Sequence, residues 1–169
     1  YDRALKDIFA VQDEIAGSVL ALIEPQLYQA ESRRVASIPP EQLDAWGLLV
    51  TSIGLIHRFE RQPNAQAREL LERALALQPN YPRAHAVLAW AKYWAAHCSW
   101  VREPSQEMAA CLDHAESARR LDNAEPWSHM VLGFAHSGLA HHARALDSLN
   151  TAVELNPSFA LCRMLRGWA

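Results

Sequence analysis

The residues of this 169-residue chain best suited to metal or nucleophilic chemistry are three cysteines and eight histidines. His97–Cys98 precedes Cys111-x-x-His114, and the second pair lies three residues apart, on one face of a helix. If the stretch between them folded back, a Cys/His set suited to zinc would form. Cys111, however, falls at a position that calls for a small side chain between packed helices, which accounts for it without a metal. "HSGLAHHARA" supplies His136, His141 and His142, but around a turn and with no cysteine or acidic partner in pattern. Zinc sites show tighter ligand spacing, so neither group is expected to hold a metal. Ser117, Ser128, Ser137 and Ser148 have no glycine-flanked elbow to expose a nucleophile. Carboxylates fall mostly on solvated faces beside arginines at helical spacing, as Glu69 and Arg73 do. Such pairs contribute only about 0.3–0.5 kcal/mol and imply no acid–base site. No catalytic residue and no cofactor is expected.

The elements that carry these residues repeat. "ARELLERALALQPNYPRAHAVLA" (67–89) has anchors Ala67, Leu71, Ala74, Leu77 and Pro79. "ARALDSLNTAVELNPSFALCRMLRGWA" (143–169) has Ala145, Leu149, Ala152, Leu155 and Pro157 at identical spacing. A third copy has Cys111, Ala115, Ala118 and Leu121, with Asn123 in the place of proline. Asn123 and Pro157 lie 34 residues apart, and Pro79 and Asn123 lie 44 apart, ten more. In such a pattern the small anchors let a facing helix approach and the leucines fill the groove beside them. Proline after the second helix stops it and turns the chain. Each first helix is expected to carry a Trp-x-x-Leu-Gly-x-x-Tyr type pattern, whose Leu-Gly places hold Leu132–Gly133 in "HMVLGFAH", Leu88–Ala89 in "HAVLAWAK", and Leu49–Val50 in "WGLLVTSI".

A 34-residue helix–turn–helix period is the tetratricopeptide (TPR) signature. The expected fold is all-α, a right-handed superhelix of antiparallel helix pairs with an extra N-terminal helix. Repeats are expected at about 43–81, 82–125, 126–159 and, truncated, 160–169. The ten additional residues are expected as an insertion near 97–106, with Ser105 capping the next helix. The first repeat needs about five more, placed in "RFERQPN". Ahead of the array, 1–42 reads as a helix and a linker. Asp7 caps a helix whose apolar positions are Ile8, Val11, Ile15, Val19, Leu22 and Ile23, and "SRRVASIPPEQL" follows with a break at Pro39 and Pro40.

Charge narrows the function classes. Nineteen acids against 16 bases give a net charge of −3, so no nucleic acid or anionic membrane is expected as partner. The three cysteines have no framework spacing and read as reduced thiols of a cytoplasmic protein. The apolar stretch 84–101 is interrupted by His85, Lys92 and His97 and reads as a buried helix.

"YDRALKDIFAVQDEIAGSVLALIEPQL" resembles a segment that precedes TPR arrays in bacterial signalling proteins. It is most similar to the C-terminal region of class III adenylate/guanylate cyclase-related proteins. Winged-helix transcriptional regulators with TPR tails have a similar segment. "PPEQLDAWGLLVTSIGLIHRF" and "LNPSFALCRMLRGWA" are similar to the same group. The resemblance implies that the chain is a regulatory module C-terminal to an effector, and that cyclase chemistry resides in that upstream domain. A sensor tail of a winged-helix regulator is the alternative.

First helices of a TPR array line its concave face. Trp90, Tyr93, Trp94, Trp127, Met130, Phe134, Met164 and Trp168 are therefore expected to be exposed there. Two readings stand: packing between successive helices, or a groove for a protein or peptide partner. Ala86, Trp90, Met130 and Phe134 occupy places where carboxylate-gripping TPR domains use Lys and Asn, so a chaperone-tail clamp is not expected. Further partners expected are the upstream effector and, through the apolar truncated repeat, a second copy.

Overall fold

A computed structural model of the chain describes residues 26–157, together with Ile23 and Cys162. The expected cap at Asp7, most of the N-terminal apolar stripe, and the groove candidates Met164 and Trp168 lie outside the described residues. A helical segment over 26–35 and a 3-10 turn at Pro40–Gln42 lead into α1 (Ala45–Ile56), α2 (Arg61–Leu77), α3 (Pro82–His97), α4 (Pro104–Leu121), α5 (Pro126–Gly138) and α6 (His142–Leu155). No strand occurs among the described residues. Consecutive helices pair as α1/α2, α3/α4 and α5/α6, and each pair packs on the next through α2/α3, α4/α5 and α3/α5. This is the TPR-like superhelix the period predicts.

Local chemistry sets the ends. α3, α4 and α5 each begin with proline, whose missing N–H costs nothing in the first turn. Asp44 caps α1 by accepting from the Gly47 N–H at 2.8 Å. Glu125 caps α5 by accepting from the Ser128 N–H at 3.0 Å. Ser105 caps nothing: α4 starts one residue earlier, so Ser105 is inside the first turn and Glu103 is the boundary residue.

The ten additional residues of the second repeat do not all lie in the connection between its helices. α3 has 16 residues against 13 in α5, and α4 has 18 against 14 in α6. The connection 98–103 takes the other three. Extending two paired helices together keeps their apolar faces in register, whereas a loop of ten would leave backbone groups without partners. The first repeat likewise holds its surplus in a helix: Pro63 and Asn64 are buried in the first turn of the 17-residue α2.

The close approach of paired helices is visible at the anchors. A Cβ on Gly133 would lie 2.6 Å from Leu149 Cγ and 3.3 Å from the Ala145 carbonyl oxygen. In α1 the residue at this place is Ser52, not Val50 as the sequence pattern suggests. Ser52 is buried, donates to the Leu48 carbonyl at 2.8 Å, and reaches the Ala67 carbonyl at 3.3 Å. A serine that bonds its own helix is small and self-satisfied, which explains why it substitutes for glycine.

The expected linker is part of the core. Val35 and Leu43 are buried with Leu48, Val50 and Ala74, and Tyr28 and Ile38 pack against them. Residues 26–43 thus cover the outer face of the first repeat. Ile23, the described member of the N-terminal stripe, is about half exposed.

Candidate functional site

The first helices α3 and α5 project aromatic side chains toward one another and bring them into one contiguous path. The Trp127 and Trp90 rings lie 5.3 Å apart, centroid to centroid, and Trp90 lies 5.3 Å from Phe134. Phe134 contacts Tyr93 at 4.8 Å and Trp94 at 6.3 Å. Phe59 continues the path, edge-on to Trp94 at 4.8 Å and to Trp100 at 5.6 Å. Phe59 and Trp100 come from the turns within the first two repeats, which is why helical spacing could not reveal them. Aromatic composition of those turns was the available signal.

Burial divides the candidates. Met130 is fully buried and Tyr93 and Phe134 nearly so, which corrects the expectation that they are exposed. A first helix is flanked by its own partner, the preceding second helix and a neighbouring first helix, so most of its apolar positions are covered. Trp90, Trp94 and Trp127 are half-buried, and Phe59 is 53% exposed. The open part of the face is a hollow of ≈ 220 Å³, mouth included, lined by Ile53, Ile56, His57, Val87, Trp90 and Trp127. These residues come from α1, α3 and α5. Its wall is apolar, and it is a shallow depression open to solvent rather than an enclosed cavity.

The other conspicuous cluster is polar. Lys92 of α3, only 8% exposed, lies 3.4 Å from Glu107 Oε1 of α4 and 3.6 Å from Glu72 Oε1 of α2. Arg68 of α2 donates to the same Glu107 oxygen at 2.8 Å. Beside it, Asn64 donates from Nδ2 to the Ala91 carbonyl at 3.0 Å. Glu107 therefore balances two buried-side cations and joins three helices.

The sulfur and imidazole groups separate rather than converge. Cys111 is buried in the α3/α4/α5 core, and burial pushes its thiol up to about 12, with Glu107 adding to the effect. Burial does the same to Cys162, also to about 12. His114 meets His85, not His97 or Cys98, with Nδ1 to Nδ1 at 3.0 Å. His85 Nε2 bonds the Pro79 carbonyl at 3.0 Å. A carbonyl only accepts, so His85 carries its hydrogen on Nε2 and, when neutral, accepts from His114 at Nδ1. His129 repeats the outer bond, Nε2 to the Asn123 carbonyl at 2.8 Å, tying the turn before α5 as His85 ties the turn before α3. Burial, reinforced by His85 and Lys92, lowers His114 to about 4 against the opposing pull of Asp113 and Glu107. His136 is buried and packs against His141, while His142 is exposed. Among the described residues no three His, Cys, Asp or Glu side chains converge as a metal site. No helix among them is long and apolar enough to cross a membrane.

Comparison with known proteins adds to this geometry. No protein-family model matches the chain. Over 152 residues, 90% of its length, the chain is 32% identical to a protein of Rhizobium meliloti (strain 1021) named putative adenylate cyclase 3. The helical repeats are TPR-like, and the sequence is similar to part of that cyclase-named protein. The matched stretch is 25% of that relative, so this repeat region spans about a quarter of its length. Its fold is similar to a crystal structure of MamA, with a TM-score of 0.57 at 16% identity over 83% of this chain and 73% of that one. A second MamA structure, from AMB-1, gives 0.53 at 20% identity over 96% and 81%. At these identities the likeness speaks for the fold alone.

Proposed function

We propose that this repeat region is a non-catalytic protein-interaction module of a bacterial cytoplasmic signalling protein, positioned C-terminal to a nucleotide cyclase domain. The observation that carries the reading is the match of nine-tenths of the chain to a quarter of a cyclase-named protein. A helical array with an apolar concave hollow suits contact with another polypeptide. The partner's apolar side chain rests on the wall that Trp90 and Trp127 help to form, and Phe59 and Trp100 extend the contact along the turns. Self-association through the C-terminal end belongs to the same proposal, on residues outside the described ones.

The test uses the full-length parent. Cyclase activity and assembly state are measured with and without the region, and in a Trp90→Ala/Phe59→Ala variant. These two positions are partly exposed, whereas Phe134→Ala would damage the core. A change in activity or assembly on deletion, reproduced by the double variant with its helicity intact, supports the reading. Unchanged activity and assembly in the deletion would overturn it.

A further inference from the structure

We propose that Arg83 is a relay that ties the segment preceding the repeats to the third repeat across the rim of the groove. Arg83 stands at the second position of α3, directly after Pro82, between the first and third repeats. Its guanidinium engages both. Nη1 donates to the Tyr28 hydroxyl at 3.3 Å, and Tyr28 in turn stacks on Trp46 of α1 at 5.6 Å. Nη2 lies 2.7 Å from Glu125 Oε1 in an ion pair. The cation also sits 5.2 Å from the centre of the Trp127 ring. Both members of the Arg83–Glu125 pair are mostly covered, at 20% and 12% side-chain exposure, so solvent screens them less than an open surface pair.

Each partner has a second task. Glu125 Oε2 accepts from the Ser128 N–H and caps α5. Trp127 lines the hollow. Tyr28 belongs to the 26–35 segment, which covers the first repeat. One side chain therefore connects the α5 cap, a wall of the groove and the segment through which the chain continues toward its N-terminus. A planar fork with several donors and a face for stacking can serve three partners at once, which a lysine cannot. A ligand that shifts Trp127 changes the seat of Arg83 and with it the hold on Tyr28. By linkage, docking of 26–35 changes groove affinity by the same factor. The regulatory use rests on the groove reading, but the relay itself is testable without any ligand.

The experiment is amide hydrogen exchange of residues 26–35 in the whole chain, compared among wild type, Glu125→Gln, Arg83→Met and the double variant, with α6 amides as the reference for global stability. Glu125→Gln keeps an oxygen for the α5 cap and removes only the charge facing Arg83. The relay requires protection of 26–35 to fall about threefold or more in each single variant and no further in the double. Arg83→Lys should behave like Arg83→Met. Unchanged protection of 26–35 in Glu125→Gln, independent multiplying effects in the double variant, or full protection in Arg83→Lys would overturn the proposal. None of these outcomes depends on whether the groove binds a partner.

Discussion

Gly133 and Leu149 touch where α5 and α6 cross: a Cβ at residue 133 would sit 2.6 Å from Leu149 Cγ and 2.8 Å from its Cδ2. Helix propensity alone favours Gly133→Ala by about 1 kcal/mol. Overpacking costs about 1–3 kcal/mol and wins here, because the Ala145 backbone blocks relaxation on the same side. Thermal unfolding should show a lower Tm for Gly133→Ala. The same change at exposed Gly54, with nothing within 4 Å, should raise it.

Glu107 is the shared anion of Lys92 and Arg68, so its two cations are not equivalent to it in reverse. Glu107→Gln leaves Arg68 without its carboxylate and Lys92 with only the exposed Glu72 at 3.6 Å, and should destabilise by about 3 kcal/mol, as removal of one partner of a buried ion pair does. Lys92→Met leaves Glu107 paired with Arg68 and should cost less than about 1 kcal/mol. Urea denaturation of the two variants reads the ordering directly, and equal losses would refute the assignment of Glu107 as the hub.

Stability should fall with acid through the window set by His114. Its folded value is lowered to about 4 from an unfolded 6.5 by burial, with His85 and Lys92 adding to it. Between these values the unfolded chain binds a proton that the native chain refuses, so stability rises with pH. The stabilisation is present above about pH 6.5 and is lost as pH falls toward about 4. Burial lowers His136 too, in the same sense. Denaturation midpoints from pH 7 to pH 4 should show a shallower acid slope in His114→Gln, and shallower still with His136→Gln added.

Each turn within a repeat places a non-glycine residue in the left-handed region: Phe59 at φ 53°, Ser99 at 54° and Ala140 at 57°. The recurrence makes this a property of the repeat geometry rather than of one site. Ala140 is exposed, so Ala140→Gly should stabilise by about 1 kcal/mol. Phe59→Gly gains the same relief but loses the ring contacts to Trp94 and Trp100, so its net stability change should be smaller or reversed. Differential scanning of the two variants separates the backbone effect from the side chain's.

The sequence by itself determined the helical repeat, because a 34-residue spacing of Ala, Leu and Pro is a local record of where helices must approach, pack and stop. It determined the aromatic character of the first helices for the same reason. Tertiary structure decided which of those aromatics remain open. Met130 and Trp127 lie on one helix three residues apart, yet one is fully buried and the other lines the hollow, because neighbouring helices cover one side only. It also decided that Ser52 does the work expected of Val50, that residues 32–43 cap the core rather than link to it, and that most of the ten additional residues lengthen a helix pair. Partners such as His85 with His114, or Arg83 with Tyr28 and Glu125, are separated by 29 or more residues and come from different helices. Periodicity specifies the face of a helix, but only the angle and offset between helices specify whom that face meets.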